Sequence, residues 1–145
     1  GREQFVPKSQ PGSRRSDETD LIAAFVQKGY LQVSNKQELE QAQRGKVLGL
    51  FSPGDMSFEI DRHKRTEPSV YDMTQAVIRL LHDLSDPVAG GQRLVREKLT
   101  QQDIADRVGA SREMVSRIFK DLSAGGYLDA SSGRIAIVKK PPAAW

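Results

Sequence analysis

The sequence predicts an α+β chain. Its second half reads as three helices plus a small antiparallel sheet, preceded by a small N-terminal module of uncertain fold. Three observations carry this. Apolar residues recur at helical spacing in three runs, 69–84, 100–108 and 111–122. A glycine, Gly109, separates the last two runs. Residues 127–138 then alternate in the manner of a hairpin.

In chain order, residues 1–16 are rich in Pro, Gly, Ser, Gln and Arg and read as a flexible arm. Residues 17–68 form the small module, either helical or β-rich, with a regulatory or dimerising role open to it. A helix over 17–28 places Leu21, Ile22, Phe25 and Val26 on one face. A second over 35–44 has Asn35 and Glu38 in the relation of a capping box. Segments 29–34 and 46–51 alternate like strands, and Ser52-Pro53-Gly54-Asp55 is a turn. The basic stretch DRHKR, 61–65, reads as a solvated linker.

The unit from 69 to 140 is better specified. A helix over 69–84 carries Met73, Val77, Leu80, Leu81 and Leu84 in one stripe, and Pro87, Gly90 and Gly91 terminate it. A short strand spans 93–97. Thr100 and Ser111 cap the next two helices, offering hydroxyls to unpaired backbone N–H groups. Ile104, Val108, Ala110, Val115 and Ile118 are the apolar positions, Ala105 gives crossing helices room, and Gly109 accepts a left-handed backbone. Gly125 and Gly126 end the last helix. Tyr127-Leu128 and residues 134–138 make a hairpin around a turn at 130–133, with Ile135 and Ile137 on one side. Residues 141–145 are a tail. Helix, strand, helix, helix, two strands is the order of a winged helix.

The chemistry lies on the second of the paired helices. Burying Val115, Ile118, Phe119 and Leu122 leaves Arg112, Glu113, Ser116, Arg117 and Lys120 on the opposite face. Arginine donates two hydrogen bonds to guanine, and glutamate accepts one from cytosine, both at edges in the major groove. The plainer account is a solvated helix face with a Glu113–Arg117 pair. At the hairpin tip, Ser131, Ser132 and Arg134 can meet phosphates.

Residues 70–140 resemble the C-terminal DNA-binding domain of the Crp–Fnr family of bacterial transcription regulators. The pattern S-R-E-x-V-x-R stands here as Ser111, Arg112, Glu113, Val115 and Arg117, after the lead-in from Leu99 to Ala105. The resemblance implies that Arg112, Glu113 and Arg117 read bases. It implies that Thr100, Gln102, Ser111, Ser116, Lys120, Ser132 and Arg134 face phosphates. Met114 departs from the family, several members of which have a phosphate-contacting threonine there. A homodimer on double-stranded DNA, half-sites of the TGTGA kind, contact with RNA polymerase and a cytoplasmic location are further implications. The alternative is a winged helix used for protein–protein contact without specific DNA binding. A faint second resemblance, through GYLQVS, KVLGLFSPGD and Phe58-Glu59-Ile60, is to a degenerate cyclic-nucleotide-binding β-roll. Phe58 stands in place of that family's glycine and no Arg-Ser pair follows at the expected distance, so no cofactor is expected. A small-molecule effector is left open.

Bulk properties agree. The 145 residues include no cysteine, which excludes disulfides, thiolate metal ligands and cysteine-bound iron–sulfur sensing. No apolar run approaches the length of a membrane span. Residues 1–92 hold 12 Lys/Arg against 13 Asp/Glu, and residues 93–145 hold 10 against 6, so the positive excess sits on the winged helix. His63 reads as solvated and His82 as partly exposed on a helix, Asp103, Asp106 and Asp121 as helix-surface charges, and no catalytic set or metal site is expected.

Overall fold

The computed structural model describes residues 1–42, 45–57 and 66–141. The β-roll reading of residues 58–60, the DRHKR linker and the end of the tail lie outside them.

Asp20 accepts the Ala23 N–H at 2.9 Å and so starts α1 (Leu21–Gln27) later than the apolar pattern alone predicts. Next come β1 (Tyr30–Val33), α2 (Lys36–Gln41) and β2 (Lys46–Gly49). The two strands are parallel, with Tyr30 opposite Lys46 and Val33 opposite Gly49. Parallel strands need a crossover, which the link over 34–45, containing α2, provides. This overturns the β-roll expectation, because rolls are built of antiparallel strands. Asn35 caps α2 by accepting the Glu38 N–H, but the Glu38 carboxylate takes the Ser34 N–H, so only half of the expected capping box forms.

Residues 1–16 are docked, contrary to the expected free arm. A 3-10 turn at Arg2–Gln4 hydrogen-bonds through Arg2 N and Glu3 N to the carbonyls of Ser52 and Pro53, each at 2.9 Å. The Arg2 guanidinium reaches the Leu50 carbonyl at 3.0 Å, Val6 is buried, and Arg14 pairs with Glu3. These backbone groups find partners some fifty positions away, which local composition does not encode.

The second half follows the predicted order. α3 (Val70–Asp83) opens on a full capping box between Ser69 and Asp72 and buries Met73, Ala76, Val77 and Leu81. Asp72 also pairs with Lys36 at 2.9 Å, joining α2 to α3. The segment expected only to stop this helix also forms a strand, β3 (Ser85–Pro87), antiparallel to β4 (Arg93–Val95). The Arg93 guanidinium holds the pair by donating to the hydroxyl and carbonyl of Ser85. After α4 (Gln101–Val108) and α5 (Arg112–Ala124) come β5 (Leu128–Asp129) and β6 (Ala136–Ile137), giving one sheet of order β3-β4-β6-β5. Val77, Leu81, Val95, Ile104, Val115, Ile118 and Leu122 are at most 1% exposed, and Val33, Leu39 and Val47 belong to the same apolar cluster. Among the described residues no helix is long and apolar enough to cross a membrane.

The two halves meet glycine to glycine. Gly109 adopts φ 67° and ψ 29° between α4 and α5, and β2 runs directly against it. A methyl on Gly49 would collide with the Gly109 carbonyl oxygen. One on Gly109 would sit 2.9 Å from Val47 Cγ1 and 3.0 Å from Gly49 N.

Gly109→Ala is expected to lose about 1–2 kcal/mol from the left-handed backbone alone, and more from this contact. Gly133→Ala is the control, with φ 76° and open space around it. Urea denaturation should show the larger loss at Gly109, and equal losses would mean that the glycine contact contributes nothing. A second expectation concerns acid. Burial pushes the Asp72 carboxyl up, but the Ser69 N–H, the Lys36 ammonium and the Ser69 hydroxyl together hold it below its ordinary value. A depressed carboxylate stabilises the fold above its unfolded pKa and loses that contribution as pH falls through the folded one. Stability should therefore decline below about pH 4, and Asp72→Asn should flatten that decline in melts across pH.

Candidate nucleic-acid interface

The exposed face of α5 follows from what its other face buries. Val115, Ile118, Phe119 and Leu122 go inward, so Arg112, Glu113, Ser116, Arg117 and Lys120 are all exposed. Ser111 Oγ caps the helix by accepting the Met114 N–H at 3.2 Å. Glu113, in the first turn, is favourably placed at the positive end of the helix dipole. Among the described residues no hydrogen bond or ion pair engages the side chains of Arg112, Glu113, Arg117 or Lys120, and the Glu113–Arg117 pair of the plainer account is not made. Met114 is half-buried and contacts the core, so it is less available than the flanking Arg112 and Glu113.

The phosphate-facing candidates divide. Ser111, Ser116, Lys120 and Ser132 are exposed, Ser132 at the tip of the β5–β6 wing. Thr100 is exposed but its hydroxyl is engaged, donating to Asp103 at 2.6 Å and accepting the Asp103 N–H at 3.1 Å. The Thr100 hydroxyl and N–H hold the Asp103 carboxyl below its usual range. Gln102 donates its amide to Asp106 at 2.8 Å. Arg134 turns back from the wing tip to the carbonyls of Val95 and Arg96, 3.3 and 3.0 Å away. In the last turn of α4, Arg107 forms a fork on Glu97, with bonds of 3.0 and 3.3 Å, and this contact lowers the Glu97 pKa.

Two residues carry more than the sequence assigns them. Asp106, expected as a plain surface charge, accepts from Gln102 on one oxygen and from the Tyr30 hydroxyl on the other, at 3.3 Å. Burial, then the nearby Asp106 charge, raises the Tyr30 pKa. The Gln102–Asp106 spacing of four residues is a legible signal. Tyr30 is 76 positions from Asp106 and has none.

Comparison with known proteins gives two family matches, which overlap over residues 75–87. The alkaline phosphatase family model matches residues 1–87, and the Crp-like helix-turn-helix domain model matches residues 75–142. An alkaline phosphatase of Gadus morhua is 32% identical over 99 residues, covering 56% of this chain and 20% of that protein. The CRP-like protein Clp of Xanthomonas campestris pv. campestris is 34% identical over 76 residues, covering 51% of this chain and 33% of Clp. The chain thus spans a third or less of either relative. A solved structure of OCPA-complexed CprK aligns over 51% of this chain and 34% of that one, at 20% identity and a TM-score of 0.42. Residues 1–87 therefore belong to the alkaline phosphatase family, and residues 75–142 are a helix-turn-helix domain of the Crp–Fnr family.

Proposed function

We propose that the chain is a sequence-specific DNA-binding transcription regulator that lays α5 in the major groove. One observation carries this reading: Arg112, Glu113 and Arg117 stand exposed and unpaired among the described residues, on a helix whose opposite face is fully engaged in the core. A major groove admits one helix, and the first turn of that helix points at base edges. In this reading Arg112, Glu113 and Arg117 contact bases. Ser111, Ser116, Lys120 and Ser132 contact phosphates directly. Thr100, Gln102 and Arg134 do so only after releasing Asp103, Asp106 and the 95–96 carbonyls.

The unit over 69–140 is the reading head, and residues 17–68 brace its inter-helix turn through Gly49 and Tyr30. A homodimer in the cytoplasm would read two half-sites about one helical turn apart.

Selection of bound sites from random DNA tests the proposal. A recovered motif with guanines is expected, and Arg112→Ala should cost about 1–3 kcal/mol and relax preference at one base pair. Lys120→Ala should weaken binding evenly across sequences and reduce the salt slope by about one. No enrichment at low salt would overturn the proposal in favour of a protein-binding winged helix.

A further inference from the structure

A second feature, on the side of the domain formed by the end of α3 and the base of the wing, is a cleft of about 360 Å³. We infer that this cleft binds a small amphipathic organic anion, a carboxylate or phosphate head carried on a short apolar body.

Four cations from three parts of the chain converge on it: Arg79 of α3, Arg93 of β4, and Lys139 and Lys140 beyond β6. Against them the lining sets one carboxylate, Asp83. Among the described residues none of the four cations is in an ion pair. Arg93 is fixed in place, because its Nε and one terminal nitrogen already donate to Ser85, at 3.0 and 2.6 Å. Lys139 lies 4.6 Å from the centre of the Tyr127 ring, a contact that orients the ammonium without neutralising it. Arg79 and Lys140 are exposed.

The floor is apolar, made by Ile78, Ile137 and Pro141. Ile137 and Pro141 are buried and Ile78 is half-buried. Like charges gathered on one rim repel each other, and an anion between them removes that repulsion while making charge-assisted hydrogen bonds. The apolar floor is suited to the remainder of such a ligand rather than to a bare inorganic ion. Small-molecule sites have this composition, mostly apolar lining with a few placed polar groups, and a volume in this range. The inference stands apart from the reading of α5, whose exposed residues do not line the cleft.

Hexanoate, hexyl phosphate and hexanol are suitable test compounds, titrated against the full chain by calorimetry and by NMR shifts. At least one anion is expected to bind, with shifts centred on Ile78 and Ile137, while hexanol binds much more weakly. Comparing the two anions identifies the head group. The Arg79→Gln, Lys140→Gln double variant should weaken the anion about tenfold with an unchanged melting temperature, since both side chains are exposed. Arg79→Lys should keep most of the affinity. Failure of both anions to bind at millimolar concentration would overturn the inference. Equal affinity for hexanol, or an unaltered affinity in the folded double variant, would do so as well.

Discussion

Arg112, Glu113 and Arg117 are available to a ligand because Val77, Leu81, Ile104, Val115 and Leu122 are not. These five side chains, from α3, α4 and α5, are at most 1% exposed and close the three-helix packing on itself. Fully burying each such side chain is worth about 1.5–3 kcal/mol, far more than any surface ion pair here. The rotation of α5 about its axis is therefore set by its apolar stripe. The polar face has no freedom of its own, and its presentation to solvent is a by-product of the core.

The caps and the turn refine what the core permits. Ser69, Thr100 and Ser111 each accept a backbone N–H at the start of a helix, and Gly109 supplies the left-handed residue between α4 and α5. These devices act within four residues, and Thr100, Ser111 and Gly109 were legible in the sequence for that reason. The α3 stripe, both caps of the helix pair, the Gly109 turn and the buried Ile135 and Ile137 were all readable as spacing. So was the exposure of Arg112, Glu113 and Arg117, since one face of an amphipathic helix determines the other.

What could not be read depends on partners remote in the chain. Alternation in 29–34 and 46–51 indicated strands but not their parallel pairing, because direction is set by the crossover and not by either strand. The docked segment 1–16 has its acceptors at Leu50, Ser52 and Pro53. β3 was missed because three residues ending in Pro87 carry little strand signal, and the Arg93–Ser85 bonds that hold it are tertiary. The same limit applies to the interface. Nothing near Arg134 in sequence announces that its guanidinium turns to the carbonyls of 95 and 96, nor that Tyr30 approaches Asp106.

The helix α3 has a consequence that reaches beyond its packing. The two family matches overlap over residues 75–87, so the second half of α3 is common to both. Its fourteen residues form a rod of about 21 Å, fastened to α2 by Asp72 at one end and packed against β3 and β4 at the other. Where two inherited segments are usually joined by a slack tether, here they are joined by a shared girder. One apolar cluster runs from Val33 and Val47 to Leu122. A core shared in this way is expected to melt in a single transition.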